Sequence, residues 1–452
     1  MKVALFVHCF FPEHFYGTET YTLGLAKNLQ ALGHDVTVVA GVFQGEPRRQ
    51  AIIEHSSFDG VPVVTIDKNY VPHSRVRETY FQEEMRPHLT EILREIAPDI
   101  VHVTHLINHT AVLLEVANQL DIPLVATLTD FFGFCYNNKL EAADGVLCAG
   151  PNRLRSNCIA CHLKAAALGG EPRAKKLSRI PYGWHLGALA LRAGEAFGWP
   201  RVAGADAVVS DIVDRPRILA RAYRGYDAMI APTHFLRDAY VRNGFSDQHM
   251  SLLRFGVDID RSPKPVRAPA TPLTIGFIGQ IAAHKGTSLI VQAARALPPG
   301  SVRLIIYGPA DQDPDYMRSL RQAAGPETEF RGTFAPERMA AVMAEMDILA
   351  IPSTWYENSP LVLLNALATH TPVLVSDVQG LTEFITEGRD GWSFRRSDLA
   401  DLTRVMAGLA ANPEVVQAAS ANTVYDRTTR SMATEVGAIY ASLVRGRLVK
   451  SR

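Results

Sequence analysis

The sequence has no charge bias. Its 452 residues carry 46 Lys and Arg against 46 Asp and Glu. That balance excludes nucleic acid as the main partner, because a phosphate backbone selects a basic protein or a basic face. Long apolar runs are also missing, and none approaches the length of a membrane span. The opening stretch MKVALFVHCFFPEHFYG does not read as a secretory signal, since its apolar run is short and Pro12, Glu13 and His14 follow at once. Together these absences predict a cytoplasmic protein. Cysteine is scarce, with five in all. Cys9 stands alone, whereas Cys135, Cys148, Cys158 and Cys161 share one short segment. In a reducing compartment such a group points to a metal rather than to disulfides. No G-x-G-x-x-G follows the first strand, which removes the main support for a dehydrogenase.

What is present is an apolar content of 47%, enough for a sizeable core, on a chain long enough for two or three domains. Short apolar runs alternate with amphipathic stretches. Lys2–His8, Asp35–Ala40, Ile100–Val103, Leu124–Leu128, Ala228–Ala231 and Ser251–Leu253 read as strands. Thr18–Leu32, Arg75–Ile96 and Thr110–Leu120 read as helices, the first ended by Gly33. A Pro-rich, basic stretch at 261–272 reads as a linker, after which the pattern restarts with strands at Leu273–Ile278, Val302–Tyr307, Ile348–Ile351 and Pro372–Ser376. Ser397–Leu409 and Thr429–Leu443 read as terminal helices. We therefore expect an N-terminal domain over 1–260 and a C-terminal domain over 273–428, followed by a helix over 429–452. Both domains should be Rossmann-like α/β units with parallel sheets facing a central cleft, where ligands meet the carboxyl ends of the strands. Residues 131–200 break the alternation and read as an insertion in the first domain, with little regular structure.

The motifs fall in loops after strands. Gly17-Thr18-Glu19 follows the first strand and opens a helix, whose free N–H groups suit an anion; a plain strand–helix turn would look the same. Gly279-Gln280 leads into His284-Lys285-Gly286, and a Lys at such an entrance can neutralise a diphosphate as a point charge, although a solvated Lys is the commoner fate. Gly308 ends the next strand. Pro352-Ser353-Thr354-Trp355-Tyr356-Glu357-Asn358-Ser359-Pro360 lies between a strand and the helix Leu361–Ala368. There Ser359 is expected to act as N-cap, with Pro360 at the first helical position. Glu357 beside that anion site is suited to sugar hydroxyls, the alternative being a complement to the helix dipole.

The cysteine segment has the spacing C-x12-C-x9-C-x2-C, followed by His162. Four thiolates make a closed tetrahedral site for which structural zinc is the simplest occupant. An iron–sulfur cluster needs the same donors, and four unrelated buried thiols are the third reading. His102 and His105 could face the cleft, but with His109 they match no metal spacing and read as structural. Arg173, Lys175, Lys176 and Arg179 form either a solvated face or a guide to anionic lipid or a lipid-diphosphate acceptor at the inner membrane face.

On these motifs, with Phe255-Gly256-Val257-Asp258 and Thr371-Pro372-Val373 through Gly380 and Glu383, the chain resembles the retaining GT-B glycosyltransferases of family 4, in a subgroup with a cysteine-rich insert. The resemblance runs over nearly the whole length. It implies a UDP-, GDP- or ADP-sugar donor on the C-terminal domain and a saccharide or lipid-linked acceptor on the N-terminal one, with no catalytic metal. It further implies that Lys285 holds the diphosphate and Glu357 the donor sugar. Asn358, Ser359, Pro360 and Leu361 would support sugar and phosphate, and Gly17 and Thr18 would meet the phosphates, with Gly279, Gln280 and Gly308 lining the donor. Asp130 joins Lys285 and Glu357 as a catalytic candidate. Three positions depart from the family pattern: Gln280 replaces an Arg, Asn365 replaces a ribose-binding Glu, and Thr129 replaces a His. They leave room for an altered donor, a reduced activity or a nucleotide-sugar-binding protein without turnover; a sugar-nucleotide epimerase, which can share the two-domain fold, is a further alternative.

Overall fold

Why the strands form where they do is visible in their burial. A parallel sheet covered on both faces needs continuous rather than alternating apolar runs. The first such run, β1 (Lys2–Val7), is buried from Val3 through Val7. In the computed structural model, residues 1–254 together with 429–452 form one unit and residues 255–428 another. The structure describes all residues except 44–45, 48–49, 143, 178–179, 198–204, 263–271 and 451–452. Most of the expected linker at 261–272 therefore lies outside the described residues, as does Arg179.

In the first unit β1 is followed by β2 (Asp35–Val42), β3 (Ile53–Phe58), β4 (Val61–Asp67), β5 (Ile100–Val103), β6 (Leu124–Thr127), β7 (Ala228–Ala231) and β8 (Met250–Leu252). They make one sheet in the order β3-β4-β2-β1-β5-β6-β7-β8. Every pairing is parallel except β3–β4, a hairpin at the edge. Its helices are α1 (Gly17–Ala31), α2 (Arg86–Ile96), α3 (Val112–Gln119), α4 (Ser156–Leu168), α5 (Pro172–Leu177), α6 (Gly183–Phe197), α7 (Ala205–Tyr223) and α8 (His234–Arg242). Thr233 caps α8 by accepting from the Leu236 N–H, a contact worth about 1 kcal/mol.

The second unit holds β9 (Leu273–Ile278), β10 (Val302–Tyr307), β11 (Thr328–Gly332), β12 (Ile348–Ile351), β13 (Val373–Ser376) and β14 (Gly391–Phe394). They form an all-parallel sheet in the order β11-β10-β9-β12-β13-β14. With them run α9 (Thr287–Ala296), α10 (Pro314–Ala323), α11 (Met339–Ala344), α12 (Leu361–Ala368), α13 (Leu399–Ala411) and α14 (Pro413–Asn422). Asp313 and Asp398 cap α10 and α13. One side of the sheet closes a core of Ile275, Phe277, Ile290, Leu304, Ile306 and Met406, where truncating one large side chain costs about 2–5 kcal/mol.

Several expectations are corrected. The stretch 75–96 is not one helix. It makes two 3-10 turns, Val76–Thr79 and Glu83–Met85, before α2. Glu78 reaches back to the backbone of Ser74 and Arg75, and Pro87 sits at the start of α2, where it can begin a helix but not continue one. The insertion is largely helical, carrying α4, α5 and α6. The first unit ends at 254 rather than 260, because residues from Phe255 onward bond within the second unit. Val257 N donates to Arg427 O at 3.1 Å, and Arg261 Nη2 donates to Val257 O at 2.6 Å. The last helix, α15 (Thr429–Lys450), belongs to the first unit. Its Tyr440 hydroxyl meets His102 Nδ1 at 2.5 Å, and Arg447 pairs with Asp121 and with Asp227. Among the described residues no helix is long and apolar enough to cross a membrane.

Candidate functional site

In the second unit two loops leave the carboxyl ends of neighbouring parallel strands, β9 and β12, which is where open α/β sheets bind ligands. The β9 loop makes a 3-10 turn over Ala283–Lys285 and then a left-handed Gly286 at φ 72. A Cβ on Gly286 would lie 1.8 Å from the Pro352 carbonyl, so only glycine lets the two loops approach this closely. Thr354 N donates to His284 O at 2.9 Å, and Arg396 Nη1 donates to Thr354 O at 2.8 Å.

That approach places Lys285 on Glu357. The ammonium lies 2.7 Å from Glu357 Oε1, and the same oxygen accepts from Ser353 Oγ at 2.6 Å and Trp355 Nε1 at 3.0 Å. The ammonium also sits 5.0 Å from the Trp355 ring centroid. Burial alone would raise the Glu357 carboxyl, but Lys285 and the hydrogen bonds outweigh it and hold the group below its ordinary value. The Glu357 backbone is fixed as well. Gly380 is left-handed, and a Cβ there would lie 1.6 Å from Glu357 O.

The expected N-cap is corrected. Pro360 in extended conformation caps α12 and Leu361 is its first residue. Ser359 is left-handed at φ 55, a strained state for a residue with a Cβ, and its buried Oγ has no hydrogen-bond partner. The Leu361 and Val362 N–H groups still have no carbonyl one turn back. Gly279 and Gly308 pack together, since a Cβ on Gly308 would lie 2.1 Å from Gly279 O. Gln280 and Asn365 are half-buried, and Asn358 precedes Ser359 in the same loop. Sequence reasoning missed Thr287, the first residue of α9, whose buried hydroxyl has no partner.

In the first unit, the carboxyl ends of β1, β5 and β6 gather a second polar cluster. Gly17 opens α1 in an exposed position, with Thr18 half-buried beside it. Glu19 is buried, accepts from Cys9 Sγ at 2.9 Å and lies 3.3 Å from His8 Nε2. The His8 ring lies 4.1 Å from that of His105, and His105 Nε2 lies 3.2 Å from Asp130 Oδ2. Asp130 Oδ1 accepts from Phe132 N at 3.0 Å, while Thr129 turns away to donate to Thr104 O. Burial lowers His8 and brings His105 to about 3 and His109 to about 4. Burial also pushes Asp130 up to about 7. His102 and His109 serve the core, bonding Thr127 with Tyr440 and the Val7 carbonyl respectively. His8, Glu19 and the His105–Asp130 contact were not anticipated. The available signal was that His8 closes a predicted strand, while His105 and Asp130 each fall two residues past one.

Residues 15–142 match the family described as Glycosyltransferase Family 4, and residues 272–412 match the one described as Glycosyl transferases group 1. Among curated proteins, the glycogen synthase of Mycobacterium tuberculosis is 27% identical over 208 residues, covering 44% of this chain and 49% of that protein. The chain thus spans about half the length of the curated relatives it matches. Among solved structures, Anabaena Alr3699/HepE in complex with UDP and glucose aligns at TM-score 0.62 with 14% identity, over 98% of this chain and 100% of that one. Sucrose-phosphate synthase from Thermosynechococcus elongatus aligns at TM-score 0.62 with 15% identity, over 98% and 99%. The fold is GT-B, with two Rossmann-like domains.

The cysteines lie in the first unit, and none of the five is in a disulfide. Cys158 and Cys161 lie one turn apart on α4, while Cys135 and Cys148 come from the preceding loop. Cys135 Sγ accepts from Leu140 N at 3.4 Å and Cys148 Sγ from Gly150 N at 3.3 Å. Burial and the nearby Cys135, Cys148 and Cys161 raise Cys158. The four thiols gather around Cys158 without closing to metal-contact spacing. Among the described residues the one trio whose ligand atoms lie within 4.8 Å of one another is His8, Cys9 and Glu19. His162 is taken up by the Tyr136 hydroxyl at 2.7 Å.

Proposed function

We propose that the protein transfers a sugar from a nucleoside-diphosphate sugar to an acceptor hydroxyl, with retention at the anomeric carbon. The observation that carries this reading is the convergence of Lys285, Ser353 and Trp355 on one oxygen of Glu357, next to the strained Ser359 and the open N-terminus of α12. Three donors on Oε1 leave Oε2 for sugar hydroxyls. Lys285 has protons beyond the one given to Glu357, and these suit diphosphate oxygens together with the Leu361 and Val362 N–H groups. UDP in the HepE complex supports a uridine nucleotide, with GDP and ADP as the alternatives. Gly279, Gln280, Gly308, Asn358, Pro360 and Asn365 would complete the donor residues.

In the reaction the bond from the anomeric carbon to the phosphate oxygen breaks, and its electron pair stays on that oxygen. The acceptor oxygen bonds to the anomeric carbon from the same face, and its proton passes to the departing phosphate. Lys285 and the helix amides stabilise the charge that grows on the leaving group. Asp130, whose Oδ2 lies 3.2 Å from His105 Nε2, would hydrogen-bond an acceptor hydroxyl. Lys285→Ala and Glu357→Ala should each lower transfer by about 10²–10³-fold with an unchanged circular dichroism spectrum; full turnover by both variants would overturn the reading. The insert's four thiols would hold a structural zinc, which would tie its loop to α4. Two of them already accept backbone N–H bonds, as metal-facing sulfurs do. Purified protein free of zinc would refute this.

A further inference from the structure

We infer that the insert of the N-terminal domain carries a docking face for an anionic lipid surface, built from α5, the turn after it and the outer side of α6. The observation is a coincidence of two surface properties that are rare together. Large apolar side chains stand out in one region: Leu168 is 75% exposed, Tyr182 81% and Leu186 57%, with Ile180 and Leu189 also exposed. Leu186 and Leu189 share one face of α6 at i, i+3 spacing, and Tyr182 stands in the turn just before that helix. The inner side of α6 is used differently. There Trp184, Ala188 and Leu191 pack with Ile159, Val209 and Ile212. The apolar stripe outside is therefore a second face, not an extension of the core.

The turn fixes that stripe in place. Tyr182 is left-handed at φ 56, and a Cβ on Gly183 would lie 2.1 Å from Leu177 O. The chain thus folds tightly against the end of α5 and holds the Tyr182 ring outward. Single exposed apolar residues are ordinary on a soluble surface, but a cluster of this kind marks an interaction face.

Charge selects the occupant. Residues 146–197 contain eight Lys or Arg against two Asp or Glu, within a chain that is neutral as a whole. Lys175 and Lys176 are exposed on the last turn of α5, next in sequence to the apolar turn. Each basic residue near an anionic leaflet contributes about 1 kcal/mol, and the Tyr and Leu side chains add apolar burial at the headgroup level. A second copy would bring the same positive excess to the contact, and like charges across an interface repel.

The test is cosedimentation of the full chain with phosphatidylcholine vesicles, with and without phosphatidylglycerol. Binding should rise about tenfold or more with the anionic lipid and fall with salt. Leu186→Ser/Leu189→Ser and Lys175→Glu/Lys176→Glu should each weaken it about tenfold or more, with an unchanged melting temperature. Equal binding by wild type and both variants, or no dependence on anionic lipid, would overturn the inference. So would a dimer that Leu186→Ser/Leu189→Ser dissociates in a protein that ignores vesicles.

Discussion

The two domains gather polar groups at the same place, beyond the carboxyl ends of parallel strands, yet they arrange charge in opposite ways. In the C-terminal domain Lys285 and its companion hydrogen bonds hold the Glu357 carboxyl below its ordinary value. In the N-terminal domain burial keeps His8, His105 and His109 neutral and pushes Asp130 up to about 7. One site has fixed charge to offer a diphosphate. The other has uncharged donors and acceptors, which suit hydroxyls. On the proposed reading the same strand-end geometry would serve two chemistries, the difference lying in whether each buried charge meets its counter-charge.

The largest effect should come from unpairing the charged site. Lys285→Met leaves the Glu357 carboxylate buried without its ammonium, which should destabilise the C-terminal domain by about 1–3 kcal/mol at neutral pH. Adding Glu357→Gln should restore most of the loss. Thermal melts of the single and double variants decide this, and an additive double variant would break the proposed coupling.

The next prediction uses the opposite signs of the two carboxyls. Glu357 is depressed, so its contribution is present above its ordinary value and fades as pH falls through the folded one. Asp130 is raised to about 7, so between its ordinary value and about 7 the folded state binds the extra proton. The Asp130 contribution to the stability of the N-terminal domain should therefore fall as pH rises through that window, by at most about 1.4 kcal/mol per pH unit, while the lowered His105 and His109 contribute in the opposite direction below 6.5. Asp130→Asn should remove that falling contribution, steepen the rise left by the histidines and leave the acid response of the C-terminal domain intact. Hydrogen exchange followed separately in each domain reads both, and an unchanged slope would remove the contrast. The smallest effect concerns Ser359. Glycine accepts its left-handed backbone freely, so Ser359→Gly should stabilise the C-terminal domain by about 1 kcal/mol, read as a small rise in melting temperature.

How much of this could be read from the sequence follows the range of the interactions. Lys285, Gly286 and the 352–360 loop were legible because their meaning lies in short spacings after strong apolar strands. The β3–β4 hairpin was not, since Ile53–Phe58 is a polar edge strand whose side chains are partly exposed, and an edge need not be apolar. The strands β11 and β14 were missed as well, β11 being only half-buried. The helices of the insert were hidden by the cysteine and proline content of 131–200. The His105–Asp130 contact joins loops from separate strands and exists only after β5 and β6 have paired. The cap at Ser359 failed because residue type favoured it while the backbone there took the left-handed state.

Because α15 closes the first domain through Tyr440, Thr429 and Arg447, that domain is discontinuous in the chain. On the ribosome its sheet emerges first, but its last packing element arrives only after the whole second domain has been made. The second domain can complete its fold as one uninterrupted stretch, while the first must wait with the surface beside α1 uncovered. Vectorial synthesis thus reverses the order of the two folds relative to their order in the gene product.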